Sequence, residues 1–358
     1  VFLRVPLAGC QAMSSFMQER AEEFSAWTDD LPKILLCGLA RSGKSSIHKV
    51  VFHKMSPHET LFLENTPRPE VKTIANNKLI HFKICDFPGN HHFNEEYDTI
   101  FFSKCAVLIF VVDAQDEPYT DALNMAKDLI KRAHKVNPNV NFEVFIHKVD
   151  GDLFLSEEHK MDMQREIQAK LTEDLFELRV DAQPTFHSTT IYDHSVFEAF
   201  SKVVQKLIPQ LSVLEALLDL LITNSRIEKA FLFDVVSKVY IASDSQPVDI
   251  QSYELCSDMI DVVIDISCIY GTVPEDSEAM AVDAKSSCVI QLNNGSLLYL
   301  REVDRFLALV CLIQEENFDR QHLIDYNIKL FKEALVQIFQ NAPGSGQQST
   351  GLRSQPSR

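Results

Sequence analysis

One stretch limits what this chain can fold into more than any other: Lys33-Ile34-Leu35-Leu36-Cys37-Gly38-Leu39-Ala40-Arg41-Ser42-Gly43-Lys44-Ser45-Ser46. An apolar run ends in Gly-x-x-x-x-Gly-Lys-Ser, and a helix-compatible run over 47–52 follows at once. That order is strand, phosphate-binding loop, helix. Glycines let the backbone curl so that successive N–H groups point at phosphate oxygens, and the helix N-terminus adds a favourable dipole. Lys44 is placed to reach the β- and γ-phosphates, and the Ser45 hydroxyl to ligate Mg²⁺. Gly38, Arg41, Ser42, Gly43 and Ser46 complete the expected cradle.

Further strand-like runs lie at 79–85, 106–112, 142–147 and 184–188, with helical patterns at 121–133, 157–178 and 196–207. Strands that are apolar throughout and separated by helices predict an α/β domain with a mostly parallel sheet covered on both faces. Ligands in such folds sit at the carboxyl ends of the strands. Three features fall there. Asp86-Phe87-Pro88-Gly89 follows one strand; its Asp can hold magnesium through water, and Gly89 can turn its N–H towards a γ-phosphate. His147-Lys148-Val149-Asp150 ends another. A carboxylate there accepts two hydrogen bonds from guanine, which adenine cannot supply, while the Lys148 stem lies along the base. Ser188-Thr189-Thr190-Ile191 ends a third, where Thr190 and Ile191 are expected to line the base edge with backbone N–H groups.

Bulk composition narrows the class. With 358 residues there is room for two domains, and 46% hydrophobic with 24% charged residues is ordinary for a globular protein. A formal net charge of −17 argues against bulk nucleic-acid binding and polybasic membrane anchoring. The eight cysteines show no metal-type spacing, and several sit in apolar runs as small hydrophobes, which favours a reducing compartment over a disulfide framework. No apolar stretch reaches bilayer-spanning length, and the last four residues carry no prenylation box. Residues 1–30 read as a tail whose start is incomplete or over-extended, since Val1 stands in place of Met and Met13 precedes an amphipathic segment.

After residue 208 the pattern changes. A helix at 214–222, strands at 229–235 and 238–242, and a long helix at 251–270 come first. Strands at 288–292, 297–303 and 306–313 and a helix at 323–339 follow, with Asn293-Asn294-Gly295-Ser296 as a hairpin turn. This order suits an α+β domain on one antiparallel sheet over 209–340, ahead of a disordered tail at 341–358. The long helix carries more apolar surface around Met259, Ile260, Val262, Val263, Ile264 and Ile266 than one face of a small sheet needs. A buried subunit contact and a well-buried core helix account for it equally well.

The residues in these stretches resemble the Ras-like small GTPases, and within them the Rag GTPases of the C/D type. The carrying runs are Lys49-Val-Val-Phe-His-Lys-Met-Ser-Pro57, Asn141-Phe-Glu-Val-Phe-Ile-His-Lys-Val-Asp-Gly151 and Ile191-Tyr-Asp-His-Ser195. Ile227-Glu-Lys-Ala-Phe-Leu-Phe-Asp-Val-Val-Ser-Lys238 and Ser252-Tyr-Glu-Leu-Cys-Ser-Asp-Met-Ile-Asp-Val-Val-Ile-Asp265 extend the match. The resemblance implies a small-GTPase domain over 31–208 and a roadblock or longin-like dimerisation domain after it, with GTP or GDP and Mg²⁺ as ligands. It makes the loop from Met55 to Val71 switch I, with Thr66 sensing Mg²⁺ and the γ-phosphate, although Pro67 and Pro69 depart from the usual pattern. Asp86 to Gly89 would begin switch II. Where the family pattern has a water-orienting Gln, this chain has Asn90, followed by His91 and His92, so slow unassisted hydrolysis is expected.

The resemblance also implies a heterodimer with a Rag A/B-type GTPase through the C-terminal domain. A Ragulator-type scaffold, a TOR-complex component and a folliculin-type activating complex are the further expected partners. The protein would be cytoplasmic and reach the lysosomal or vacuolar surface only through them. Two other readings stay open: a binding scaffold that nucleotide merely stabilises, and a P-loop phosphotransferase, against which guanine selection at Asp150 argues.

Overall fold

The computed structural model describes residues 30–75, 79–89, 98–151, 154, 156–270, 287–304 and 306–341. The segment 90–97, with Asn90, His91 and His92, lies outside them, as do the N-terminal tail to residue 29 and the end of the chain from 342. The described chain forms two compact units; the main boundary in sequence falls between Pro209 and Gln210, with Val236–Val239 grouping with the first unit and Leu79 with the second.

In the first unit, β1 (Lys33–Gly38), β3 (Phe82–Asp86), β4 (Cys105–Asp113), β5 (Asn141–His147) and β6 (Thr185–Thr189) are parallel, and β2 (Glu70–Ile74) joins them antiparallel to β3. The order is β2-β3-β1-β4-β5-β6. Every residue of β1 and β3 is buried, as a sheet covered on both faces requires. Helices α1 (Lys44–His53), α2 (Asp98–Phe102), α3 (Thr120–Val136), α4 (Glu157–Glu177) and α5 (Ser195–Gln205) supply the cover. α3 shows why: Ala122, Leu123, Ala126, Leu129, Ile130 and Ala133 recur on one face and are all buried. The chain order turns about β1, with β3 on one side and β4 on the other, so the crevice beyond its carboxyl end is where ligands enter such sheets.

β2 corrects the sequence reading, which leaves 55–71 as loop. Glu70-Val-Lys-Thr-Ile carries its exposed and half-buried residues on an edge, so it lacks the apolar run that marks an inner strand. A one-turn 3₁₀ helix, Glu59–Phe62, breaks the same loop. α2 was also not predicted; five residues are too few for a periodic signal.

The second unit runs α6 (Leu211–Ser225), β7 (Lys229–Asp234), β8 (Tyr240–Ser243), α7 (Ile250–Tyr270), β9 (Ser287–Gln291), β10 (Ser296–Asp304), β11 (Leu307–Gln314), α8 (Glu315–Phe318) and α9 (Gln321–Asn341). Its antiparallel sheet has the order β8-β7-β11-β10-β9, and α6 packs on α9. Gly295, at φ +82°, makes the β9–β10 turn, as Asn-Asn-Gly-Ser predicts. On α7 the apolar residues divide between two faces, one of them in the core of the unit. Tyr253, Cys256, Met259, Ile260, Val263 and Ile264 are buried, while Leu255, Val262, Ile266 and Ile269 are 38%, 44%, 49% and 72% exposed.

Candidate functional site

The turn after β1 needs two glycines. Gly38 has φ +145° and Gly43 φ +99°; a Cβ on Gly43 would lie 2.4 Å from the ring of His147, and one on Gly38 2.4 Å from the carbonyl of Val111. Gly89 is pressed harder still, since its Cβ would stand 2.3 Å from both N and Cα of Ala40. The loop and the Asp-Phe-Pro-Gly turn are therefore in backbone contact, which only a residue without a side chain allows.

Over this turn opens a cavity of about 740 Å³. Arg41, Gly43, Lys44, Ser45 and Ser46 line one wall, Thr66 and Gly89 another, and His147, Lys148, Asp150 and Ile191 a third. Gly38, Ser42, Asp86 and Thr190 stand behind these walls and act through their neighbours. The Lys44 amine donates to the carbonyls of Gly38 at 2.9 Å and Leu39 at 2.6 Å, which holds it at the loop's centre. Burial pulls its pKa below the ordinary lysine value, against the opposing pull of Asp86.

Three oxygens converge beside it. Ser45 Oγ donates to Asp86 Oδ2 at 2.6 Å and lies 2.8 Å from Thr66 Oγ1. Asp86 Oδ1 is buried with no hydrogen-bond partner among the described residues. Burial pushes the Asp86 pKa up to about 6, more than the Ser45 hydrogen bond and the charge of Lys44 bring it down. A buried carboxylate short of positive charge, flanked by two hydroxyls, is a donor set for a hard divalent cation. The residues fit Mg²⁺.

At the other end, Asp150 is oriented by Thr190, whose hydroxyl donates to its Oδ1 at 2.6 Å. The N–H of Thr190 is used by Ser195 Oγ at 2.9 Å, so Thr190 serves the site through its side chain and not, as predicted, through its backbone. Lys148 sits at φ +66°, with its amine on Asp113 Oδ2 at 2.5 Å and on the carbonyl of Arg41 at 2.7 Å. Gln115 donates to the Lys148 carbonyl at 3.0 Å. Asp113 and Gln115 were missed by sequence reasoning; the one available signal is that Asp113 closes β4 and Gln115 lies two residues beyond it. His147 is 1% exposed, with Nδ1 3.0 Å from Thr189 Oγ1, and burial, aided by the charge of Lys148, pulls its pKa down to about 4. A neutral ring wedged under Gly43 braces the loop. Asn90 lies outside the described residues.

The family profile described as Gtr1/RagA G protein conserved region matches residues 33–260. The chain is 55% identical over 330 residues to Ras-related GTP-binding protein C of Mus musculus, covering 91% of this chain and 81% of that protein. It is 54% identical over 334 residues to Ras-related GTP-binding protein D of the same species, covering 92% and 73%. It is also 48% identical over 312 residues to GTP-binding protein gtr2 of Schizosaccharomyces pombe, covering 86% and 98%.

Proposed function

This chain belongs to the Gtr1/RagA family of G proteins, and on that premise we propose that it is the C/D-type half of a Rag-like heterodimer. Its bound guanine nucleotide sets which partners it engages. The observation that carries this reading is the sharing of one cavity by Lys44 and Ser45 with an Asp150 fixed by Thr190. Cation and hydroxyl meet phosphates; the carboxylate meets guanine N1–H and its amino group, a donor pair adenine lacks. Arg41, Gly43 and Ser46 wrap the phosphates with backbone N–H groups, and Ile191 borders the base. Ser45, Thr66 and Asp86 are the groups that hold Mg²⁺; when bound, it supplies positive charge against the phosphate oxygens.

Lys44 stabilises the negative charge that develops on a transferring phosphoryl group, and Gly89 offers its N–H there. Hydrolysis is slow without an activating partner, because Asn90 is one methylene shorter than the water-orienting Gln. Thr66 and Gly89 belong to the two segments whose arrangement differs between nucleotide states, and partners read that difference. In the second unit, the exposed Leu255, Val262, Ile266 and Ile269 are the surface offered to an A/B-type subunit. Among the described residues no helix is long and apolar enough to cross a membrane. In this reading, recruitment to the lysosomal or vacuolar surface runs through a Ragulator-type scaffold. A folliculin-type activator and a TOR-complex component are the further partners through which amino-acid status is relayed.

Calorimetry of the purified full chain with Mg²⁺ tests the base of the proposal: heat with GDP and GTP, none with ATP. Heat with ATP alone, or none with any of them, overturns it. Single-turnover GTP hydrolysis then tests the slow rate, and a capture assay with each nucleotide state asks whether a second GTPase subunit binds.

A further inference from the structure

Resting on that nucleotide reading, we infer that Tyr192 is the aromatic wall of the purine site: it grips the base by its face while Asp150 reads the base's edge. Tyr192 lines the same cavity as Lys148 and Asp150 and is 48% exposed. Of the other rings on the cavity wall, Phe87 is 1% exposed and packed at right angles to Phe101, and His147 is 1% exposed and wedged under Gly43, so neither has a face to offer. Tyr192 does.

Its placement is tied to the edge reader. The Thr190 hydroxyl that donates to Asp150 also accepts the N–H of Tyr192 at 3.3 Å. The loop beyond is closed by Thr190 N–H on Ser195 Oγ and by Ser195 N–H on Asp193 Oδ1 at 2.8 Å. One hydroxyl thus sets both the carboxylate and the backbone that carries the ring. The ring is also braced by His58, just ahead of the 3₁₀ turn, with centroids 5.9 Å apart and planes at 51°. The Lys148 stem, pinned at its amine by Asp113 and the Arg41 carbonyl, provides an apolar surface beside the same carboxylate. A purine's face is apolar and polarisable whatever its edge carries, so stacking on it adds affinity without choosing the base.

The test is the affinity of the full-length chain for GDP and for IDP, which lacks the amino group that Asp150 reads. Tyr192→Phe should bind both within about twofold of wild type, and Tyr192→Ala should lose about five- to hundredfold for each, by the same factor. Unchanged GDP binding by Tyr192→Ala overturns the inference while leaving the nucleotide reading standing. A loss for GDP without one for IDP also overturns it, since the effect would then run through Asp150. Wild-type protein that binds neither nucleotide sinks the underlying reading instead. Tyr192→Trp supplies a second readout: its emission should be quenched on adding GDP, and unaltered emission at saturating GDP counts against a stacked ring. Matching thermal melts of the variants exclude misfolding.

Discussion

Ser45, in the first turn of α1, and Asp86, at the end of β3, are 41 residues apart in sequence and joined by a 2.6 Å hydrogen bond from hydroxyl to carboxylate. Thr66 Oγ1 lies 2.8 Å from the same hydroxyl. Ser45→Ala should therefore weaken Mg²⁺-supported GTP binding by about tenfold or more, the cost of one hydrogen bond to a charged group. Binding in excess chelator should hardly change. Titrations with and without Mg²⁺ decide it; equal losses in both would mean that Ser45 acts on the loop and not on the metal.

Removing the Thr190 hydroxyl frees the Asp150 carboxylate to rotate. Thr190→Val keeps the shape and should cost GDP about tenfold in affinity and IDP less, because a wandering carboxylate forfeits mainly the second hydrogen bond. Competition between the two nucleotides for the variant gives the ratio directly.

Gly89→Ala places a methyl group 2.3 Å from the backbone of Ala40, which has no side chain to swing aside. The expected loss is about 1–3 kcal/mol of stability, seen as a melting temperature lower by several degrees. Gly295→Ala is the control: nothing lies within 4 Å of its Cβ, and it suffers only the strain of φ +82°. A Gly89 variant no less stable than the Gly295 variant would contradict the close approach.

His48 is 1% exposed, and neither ring nitrogen has a hydrogen-bond partner among the described residues. Burial, reinforced by His53, Lys49 and Lys72, pulls its pKa from 6.5 down to about 3. The unfolded chain then binds this proton first as pH falls. Stability is fully present above pH 6.5 and drains away as pH drops through that window, on the order of 3 kcal/mol by about pH 4. His48→Leu should flatten this part of the denaturation profile and raise stability at neutral pH by about 1 kcal/mol. Denaturant melts at a series of pH values provide the check.

Arg132 on α3 holds Asp98, the first residue of α2, by two hydrogen bonds of 2.8 and 2.5 Å. Asp98 begins α2, so this pair ties the start of α2 to α3. Arg132→Ala should cost about 2 kcal/mol and speed amide exchange over 98–102 well before the β4 core. Uniform protection across both regions would show that the anchor is dispensable.

The residues that declare themselves in the sequence do so through local physics. Gly38 to Ser45, Asp86 to Gly89 and His147 to Asp150 each follow an apolar run, and a strand's end and a glycine's backbone freedom are properties of a few neighbouring residues. The parallel sheet was legible for the same reason: β4 is an almost unbroken apolar run, β5 carries Phe142, Val144, Phe145 and Ile146, and α3 repeats its apolar face every three or four residues. β2 was not, because an edge strand is defined by the neighbour that accepts it and not by its own composition. Asp113 and Gln115 reach Lys148 across 35 and 33 residues, and Thr190 reaches Asp150 across 40. No period or spacing encodes such pairs. Nor could α7 say which apolar face the core would take, since its sequence is apolar on both. The chain by itself determined the inner strands, the long helices and the glycine-bounded turn that follows β1. Which side chains steady Asp150 and Lys148, and which apolar face of α7 the unit's own core takes, only packing decided, because those are outcomes of distance in space and not of distance along the chain.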